Sequence, residues 1–330
     1  LGVSNLHRNV IFRGDVVTEL PVTHFEAPSP LKLWKALDAQ CIQAGTGCDV
    51  LVLPHNSNLS NGNLFIPDYP GAKTDAEQRA IAELRARMEP VVEMFQHKGD
   101  MECRNGMKFV NMDLDPFCTF EKIRPDPVDD CGDDTGTGGM RLWGCVHRLD
   151  YVRNVLKQGL LEAERLGVNP YQLGFIGSTD THNGTPGHVE EIGFPGHVGV
   201  VDDTPEKRLG SGNLTHDGII NNPGGLAGVW AEENTREAVF DAIRRKETFA
   251  TSGPRIRIRL FGGWSFPSDL CAAEDLAAQG YASGVPMGSV LSAPLDTRKD
   301  LFGAAADPDF GAITRIAGND PVDRVVSRHD

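Results

Sequence analysis

Two side chains suited to metal chemistry stand two positions apart in Ser178-Thr179-Asp180-Thr181-His182. They follow Leu173-Gly174-Phe175-Ile176-Gly177, a short apolar run that reads as a buried strand. If the backbone stays extended past that strand, Asp180 and His182 share a face, with Cα atoms roughly 6–7 Å apart. A carboxylate and an imidazole on one face suit one divalent ion or two neighbouring ones. The plain alternative is an Asp and a His that only cap the turn Asn183-Gly184-Thr185-Pro186-Gly187. His55 sits just beyond a second apolar run, Asp49-Val50-Leu51-Val52-Leu53, and opens the polar stretch Asn56 to Gly62. A strand-end position favours a ligand role for it over a surface loop bonded to itself.

Glu93 is flanked by Val91, Val92, Met94 and Phe95. A carboxylate in such a run is costly unless it is paired, coordinated or turned to solvent on an edge strand. Lys98, Asp100 and Glu102 follow, and a buried Lys98 could hold a carboxylate or stabilise a developing oxyanion. His7 and Arg8 precede the strand 9–13, so position alone does not select them. His24, His97, His147, His188, His197, His216 and His329 have no persuasive local context, although His188 and His197 lie on the loop after Asp180. Competing chemistries lack their templates. There is no Gly-x-Ser-x-Gly elbow and no His-Glu-x-x-His, and Gly210-Ser211-Gly212 lacks the lysine of a phosphate-binding loop. A metal-activated water is the expected nucleophile, not a side chain.

Helix signals alternate with short apolar runs around these residues. Ser29-Pro30 opens an amphipathic stretch to Ala44, and Thr74 with Glu77 forms a capping box for a helix reaching Glu89. Further helices are expected over 150–166 and over 235–246, the latter capped by Asn234. Arg255 to Leu260 alternates as a half-exposed strand. The alternation predicts an α/β fold with mainly parallel strands and a site at their C-terminal ends. Long loops are expected at 104–148 and 183–224, and from about residue 261 the composition shifts toward a small β-rich appendage or tail. The domain reading is therefore 1–260 and 261–330.

The 330 residues carry 46 Asp and Glu against 32 Lys and Arg, a formal net charge of −14. That disfavours nucleic acid, which needs clustered cations. No run approaches the roughly 18 apolar residues of a membrane span. Seven cysteines contain no Cys-x-x-Cys pair, so a zinc knuckle is not expected. Cys103, Cys118, Cys131 and Cys145 fall in a loop-like stretch where one or two disulfides would staple the chain and mark an oxidising compartment; the alternative is four free thiols.

Several segments together resemble a known family: Asn5-Leu6-His7-Arg8-Asn9-Val10-Ile11-Phe12-Arg13, Pro54 to Gly62, Lys98-Gly99-Asp100, Phe175 to Asn183, and Thr248 to Arg255. They are similar to the PHP-like family of domain of unknown function 3604, within the polymerase-and-histidinol-phosphatase superfamily. The resemblance implies a distorted β/α barrel and a metal-dependent hydrolase, related to hydrolases of carbamates and aryl esters. It implies two or more divalent ions (zinc, manganese or iron), with His7, His55, Asp180 and His182 as ligands and Lys98, Arg8 and Glu93 assisting the chemistry. The superfamily opens with a His-x-His strand, a Thr-Asp-His segment and a Glu-bearing strand, none of which is in this sequence. The expectation is an N-terminally incomplete barrel with part of its ligand set missing and sheet edges exposed. The expected partner is a small ester or carbamate. A phosphoester substrate and a non-catalytic binding remnant are the alternatives, and a homo-oligomer is allowed.

Overall fold

A computed structural model describes residues 3–108, 110, 114–210 and 221–292, together with the backbone of two strands, 312–317 and 324–326. His216, His329 and much of the expected C-terminal appendage lie outside the described residues.

Strand β1 (Arg8–Phe12) pairs antiparallel with β2 (Val50–Pro54), with Val10 opposite Val52. All five residues of β2 are buried, as its unbroken apolar run predicts. Between them lies α1 (Pro30–Gln40). Its cap is Ser29, whose Oγ accepts the Lys32 N–H at 3.3 Å, and its inner face buries Trp34 and Leu37. The Thr74–Glu77 capping box opens α2 (Asp75–Met88), which stops ahead of Pro90. Strand β3 (Val91–Gln96) follows and turns back into the short β4 (Gly99–Asp100). Helix α3 (Val152–Leu166) ends at Gly167, whose φ of +73° is the left-handed stop, and leads to β5 (Gly174–Gly177). Strand β5 pairs parallel with β3. Leu53, Val91 and Ile176 form one apolar cluster, so β2, β3 and β5 share a core.

Further on come α4 (Pro205–Leu209), β6 (Leu226–Val229), α5 (Arg236–Arg244) and β7 (Thr248–Thr251), with β6 and β7 antiparallel. The cap of α5 is Thr235, not Asn234; its Oγ1 accepts the Ala238 N–H at 3.3 Å. A four-stranded antiparallel sheet contains β8 (Arg257–Gly262), β9 (Val285–Pro286), β10 (Ala312–Ala317) and β11 (Arg324–Val326), and α6 (Leu276–Ser283) precedes β9. Strand β8 spans the boundary expected at residue 260.

The expected β/α barrel does not form. The described strands fall into four separate sheets, of two, four, three and two strands, with no closed ring. A β/α barrel requires each strand to run parallel to both neighbours through crossover helices. Among the described strands only β3 and β5 pair in parallel. The physical reason is local. Strand β3 feeds a tight turn and β4 in place of a helix, and residues 101–151 then contribute no strand among those described. No described helix is long and apolar enough to cross a membrane.

Three disulfides lie within the described chain. Cys103–Cys118 and Cys131–Cys145 close the long loop, and Cys41–Cys48, which the sequence reading did not pair, ties the end of α1 to the start of β2. Their Cα separations of 4.9–5.3 Å suit the bond. Removing the Cys131–Cys145 link with paired serines is expected to cost about 3 kcal/mol, the entropy of closing a loop of roughly 15 residues. Guanidinium denaturation measures it, and a cost under about 1 kcal/mol would contradict a formed bond.

The polar stretch 56–63 proves to be buried scaffolding. Ser57 Oγ donates to Asp150 O at 2.7 Å, Asn61 Nδ2 to Cys145 O at 2.7 Å, and Asn63 Nδ2 to Gly136 O at 2.9 Å. Asp150 returns the tie by accepting from Ser60 Oγ, the Gly62 N–H and the His147 N–H. Burial pushes the Asp150 carboxyl up to about 6, against the pull of those donors. A raised carboxyl favours the protonated folded chain, so its contribution is full below pH about 4 and is lost as pH rises through about 6. The stability of the wild type relative to Asp150→Asn is therefore expected to fall between pH about 4 and about 7 in urea titrations. A difference that grows over that window would contradict the assignment.

Candidate functional site

The site is built on the turn that joins β3 to β4. Gly99 has φ +90°, and a Cβ there would stand 2.0 Å from Glu121 O, so this position requires glycine. Asn58 Nδ2 donates to Lys98 O at 3.1 Å and to Asp100 O at 3.2 Å. These constraints hold His97 and Lys98 at the end of β3. Strand β5 docks alongside, with the Ser178 N–H on Phe95 O at 2.9 Å and the His97 N–H on Thr179 O at 3.4 Å.

Beyond β5 the chain leaves the extended conformation, for Asp180 has φ +50°. The shared strand face expected for Asp180 and His182 therefore does not exist. Asp180 Oδ2 instead receives Lys98 Nζ, and Gln96 Nε2 at 2.9 Å, with His97 Nε2 at 3.5 Å. Lys98 Nζ also donates to His97 Nε2 at 2.6 Å. The His182 ring lies 5.9 Å from the His97 ring, centroid to centroid.

On the other side, the His55 ring lies 5.7 Å from that of His7, and His55 Nδ1 is 3.9 Å from Glu93 Oε2. Glu93 accepts from the Asn56 N–H at 3.2 Å and from Ser178 Oγ at 2.5 Å. Asn56 Nδ2 reaches Asp180 Oδ2 at 3.4 Å, and its Oδ1 accepts from Gln96 Nε2. Asn56 and Gln96 thus join the His55 side to the Asp180 side. His7, His55, Glu93, Lys98, Asp180 and His182 are brought into one region. Arg8 is not: its guanidinium is engaged elsewhere, with Nε on Glu89 at 2.6 Å and Nη1 on Leu6 O at 2.7 Å.

Two further imidazoles join the group, neither of them singled out from the sequence. The His97 and His197 rings lie 4.1 Å apart. The His182 N–H donates to His197 O at 2.7 Å, and Asp202 accepts the His197 and Val198 N–H groups, each at 2.7 Å. His97 carried a usable signal in its place just past β3. His197 depends on a loop closing from far along the chain and carried none.

Burial lowers the pKa of His55 to about 4 and that of His97 to about 3, and it also depresses His7 and His197. Burial pushes Glu93 up to about 7. Burial acts upward on Asp180 too, but its contact with His97 and the charge of Lys98 prevail and hold it well below the usual carboxylate range. At neutral pH the four lowered imidazoles are therefore neutral and Asp180 is ionised.

A family model described as "Protein of unknown function (DUF3604)" matches residues 1–317. The chain belongs to the DUF3604 family. No curated protein and no solved structure matches it.

The donor chemistry of this DUF3604 site fits a divalent ion. Neutral imidazoles and an ionised carboxylate are the ligating forms. His197 Nε2 donates to Asn222 O at 2.7 Å, so its buried Nδ1 keeps a lone pair with no hydrogen-bond partner, a cost that coordination would relieve. Lys98 Nζ sits on Asp180 as a cation would. Among the described residues, one group of three donors already lies within 4.8 Å of one another: Cys103, Asp115 and Cys118. Its two sulfurs form a disulfide, so it offers no thiolate.

Proposed function

We propose that this DUF3604 chain is a metal-dependent hydrolase of ester or carbamate bonds, with metal chemistry of the PHP-like kind. The supporting observation is the convergence of five imidazoles, from His7, His55, His97, His182 and His197, on Asp180, Lys98 and Glu93 from distant parts of the chain. His7, His55, Asp180 and His182 would hold the metal, a zinc, manganese or iron ion. A bound divalent ion lowers the pKa of water toward about 7 and polarises a carbonyl. Lys98, whose side chain is only 12% exposed, places its ammonium where an oxyanion could develop. Glu93, poised near pH 7, can take up and return a proton at Oε2 beside His55 Nδ1. Arg8 has no part in this reading, because its guanidinium is engaged elsewhere.

Metal analysis and ester and carbamate assays on His55→Ala and His182→Ala test the proposal. Each variant is expected to lose metal and to lose about 10²-fold or more in rate. Unchanged metal content with unchanged rate in both would sink it. A parallel screen of phosphoesters separates the two substrate classes. A second reading, a non-catalytic binding module, is favoured by the Lys98–Asp180 contact, which fills the carboxylate without a metal. Folded protein that takes up no metal from zinc or manganese solutions would select it.

A further inference from the structure

An open groove of about 760 Å³ borders His7. Its volume falls inside the roughly 300–1,000 Å³ of small-molecule sites. His7 is also the residue whose ring lies 5.7 Å from that of His55, so the groove meets the candidate metal centre at this side chain. The other walls come from three places. Leu6 and Val10 stand beside and on β1, Val22 and Ala27 on the segment leading into α1, and Pro30 and Leu33 on α1. Val10, Val22 and Leu33 pack against the buried cluster around Trp34 and Leu37, so the groove is backed by core. The segment before α1 is closed on itself by the Ala27 N–H on Thr23 O at 2.9 Å.

The lining contains no Asp, Glu or Lys. Its one guanidinium, on Arg8, is 2% exposed and bound to Glu89, so it presents no free charge to the groove. Besides His7, the exposed His24 is the remaining ionisable side chain among the lining residues. A hydrocarbon chain gains by covering such walls, whereas a charged chain loses water and finds no committed partner.

We propose that this groove receives the acyl chain of the substrate, and that the preferred substrate is an ester with an uncharged aliphatic acyl group of about eight carbons, sized to a groove of this class. Its carbonyl would lie past His7 at the metal centre. Water adds to that carbonyl, the bond from the carbonyl carbon to the alcohol oxygen breaks, the acid keeps the water oxygen and the alcohol takes a proton. The reaction rests on the hydrolase reading above, but the affinity of the groove for the chain needs no metal.

Two measurements test this. The first compares kcat/KM for the nitrophenyl esters of acetate, octanoate and suberate, the last with a carboxylate at the chain end. Octanoate is expected to exceed acetate by at least about tenfold, mostly through KM, because the added methylenes leave water. The suberate half-ester is expected to lose that gain. The second is calorimetry of octanamide and acetamide with protein freed of metal by a chelator. Octanamide is expected to bind at least about tenfold tighter. Leu33→Trp and Val22→Trp fill the groove from different walls and are checked for folding by thermal unfolding. Each is expected to bring the octanoate-to-acetate ratio toward one and to remove octanamide binding, with metal content kept. Octanamide binding with no ester hydrolysis would support the groove and remove the hydrolase reading. Hydrolysis with equal kcat/KM for acetate and octanoate would do the reverse and overturn the proposal. So would a suberate half-ester as good as octanoate, or octanamide binding unchanged in a folded filled variant.

Discussion

Asp180→Asn is expected to reduce hydrolysis by about 10²–10³-fold and to strip bound metal from the protein. Among the described residues, Asp180 is the one carboxylate that meets the Lys98 ammonium, Gln96, His97 and Asn56 together. Asn preserves the shape and removes the charge. The metal then loses its anionic ligand, and Lys98 loses the partner that fixes its position. Lys98→Met separates the two roles, because it removes the ammonium and leaves the carboxylate. Lys98→Met is expected to keep metal and lose rate, whereas Asp180→Asn loses both. Equal metal content and equal rate in Asp180→Asn and wild type would contradict the role given to the carboxylate.

Glu89→Ala is expected to cost about 3–5 kcal/mol of stability, because it abandons two buried guanidiniums. The carboxylate accepts from Arg8, Arg85 and Trp34, and the Arg85 guanidinium also lies over the Trp34, Phe65 and Tyr171 rings at 4.7–5.2 Å. Removing Glu89 thus unsettles the packing of α1, α2 and β1 at one point. Urea denaturation should show a lower midpoint with an unchanged slope. A cost below about 1 kcal/mol would mean that the arginines reach water once the carboxylate is gone.

The legible parts of the sequence were those set by local physics. Ser29, Thr74 and Glu77 cap the helices they mark, because a cap is decided within a few residues. The unbroken run at β2 is buried as read. Strand pairing was not legible. Apolar runs show that a strand is buried, not which neighbour it takes, and so the alternation of helices and strands suggested parallel pairing that β1, β2, β6 and β7 do not have. The same limit governed the site. His55, Glu93, Lys98 and Asp180 were visible at or near strand ends, but the positive φ of Asp180 overturned the expected geometry at its centre. His197 reaches His97 only through the loop after Asp180, which no local pattern reports. Arg8 entered only through the family resemblance, and its guanidinium is engaged by Glu89, while the His7 ring lies by that of His55. The Asn-rich stretch read as a polar loop at a strand end because Asn is polar; its buried role appears only when the long loop it anchors is in place.

The most direct measurement is elemental analysis of the purified chain after loading with zinc or manganese and removal of excess ion. It should be run beside His55→Ala and Asp180→Asn, with hydrolysis of an aryl ester followed on the same samples. The expected result is about one or more equivalents of divalent metal in the wild type, a clear loss in both variants, and rate that tracks metal content. Folded wild-type protein that hydrolyses the ester without metal, or that retains no metal after loading, would contradict the metal centre at Asp180.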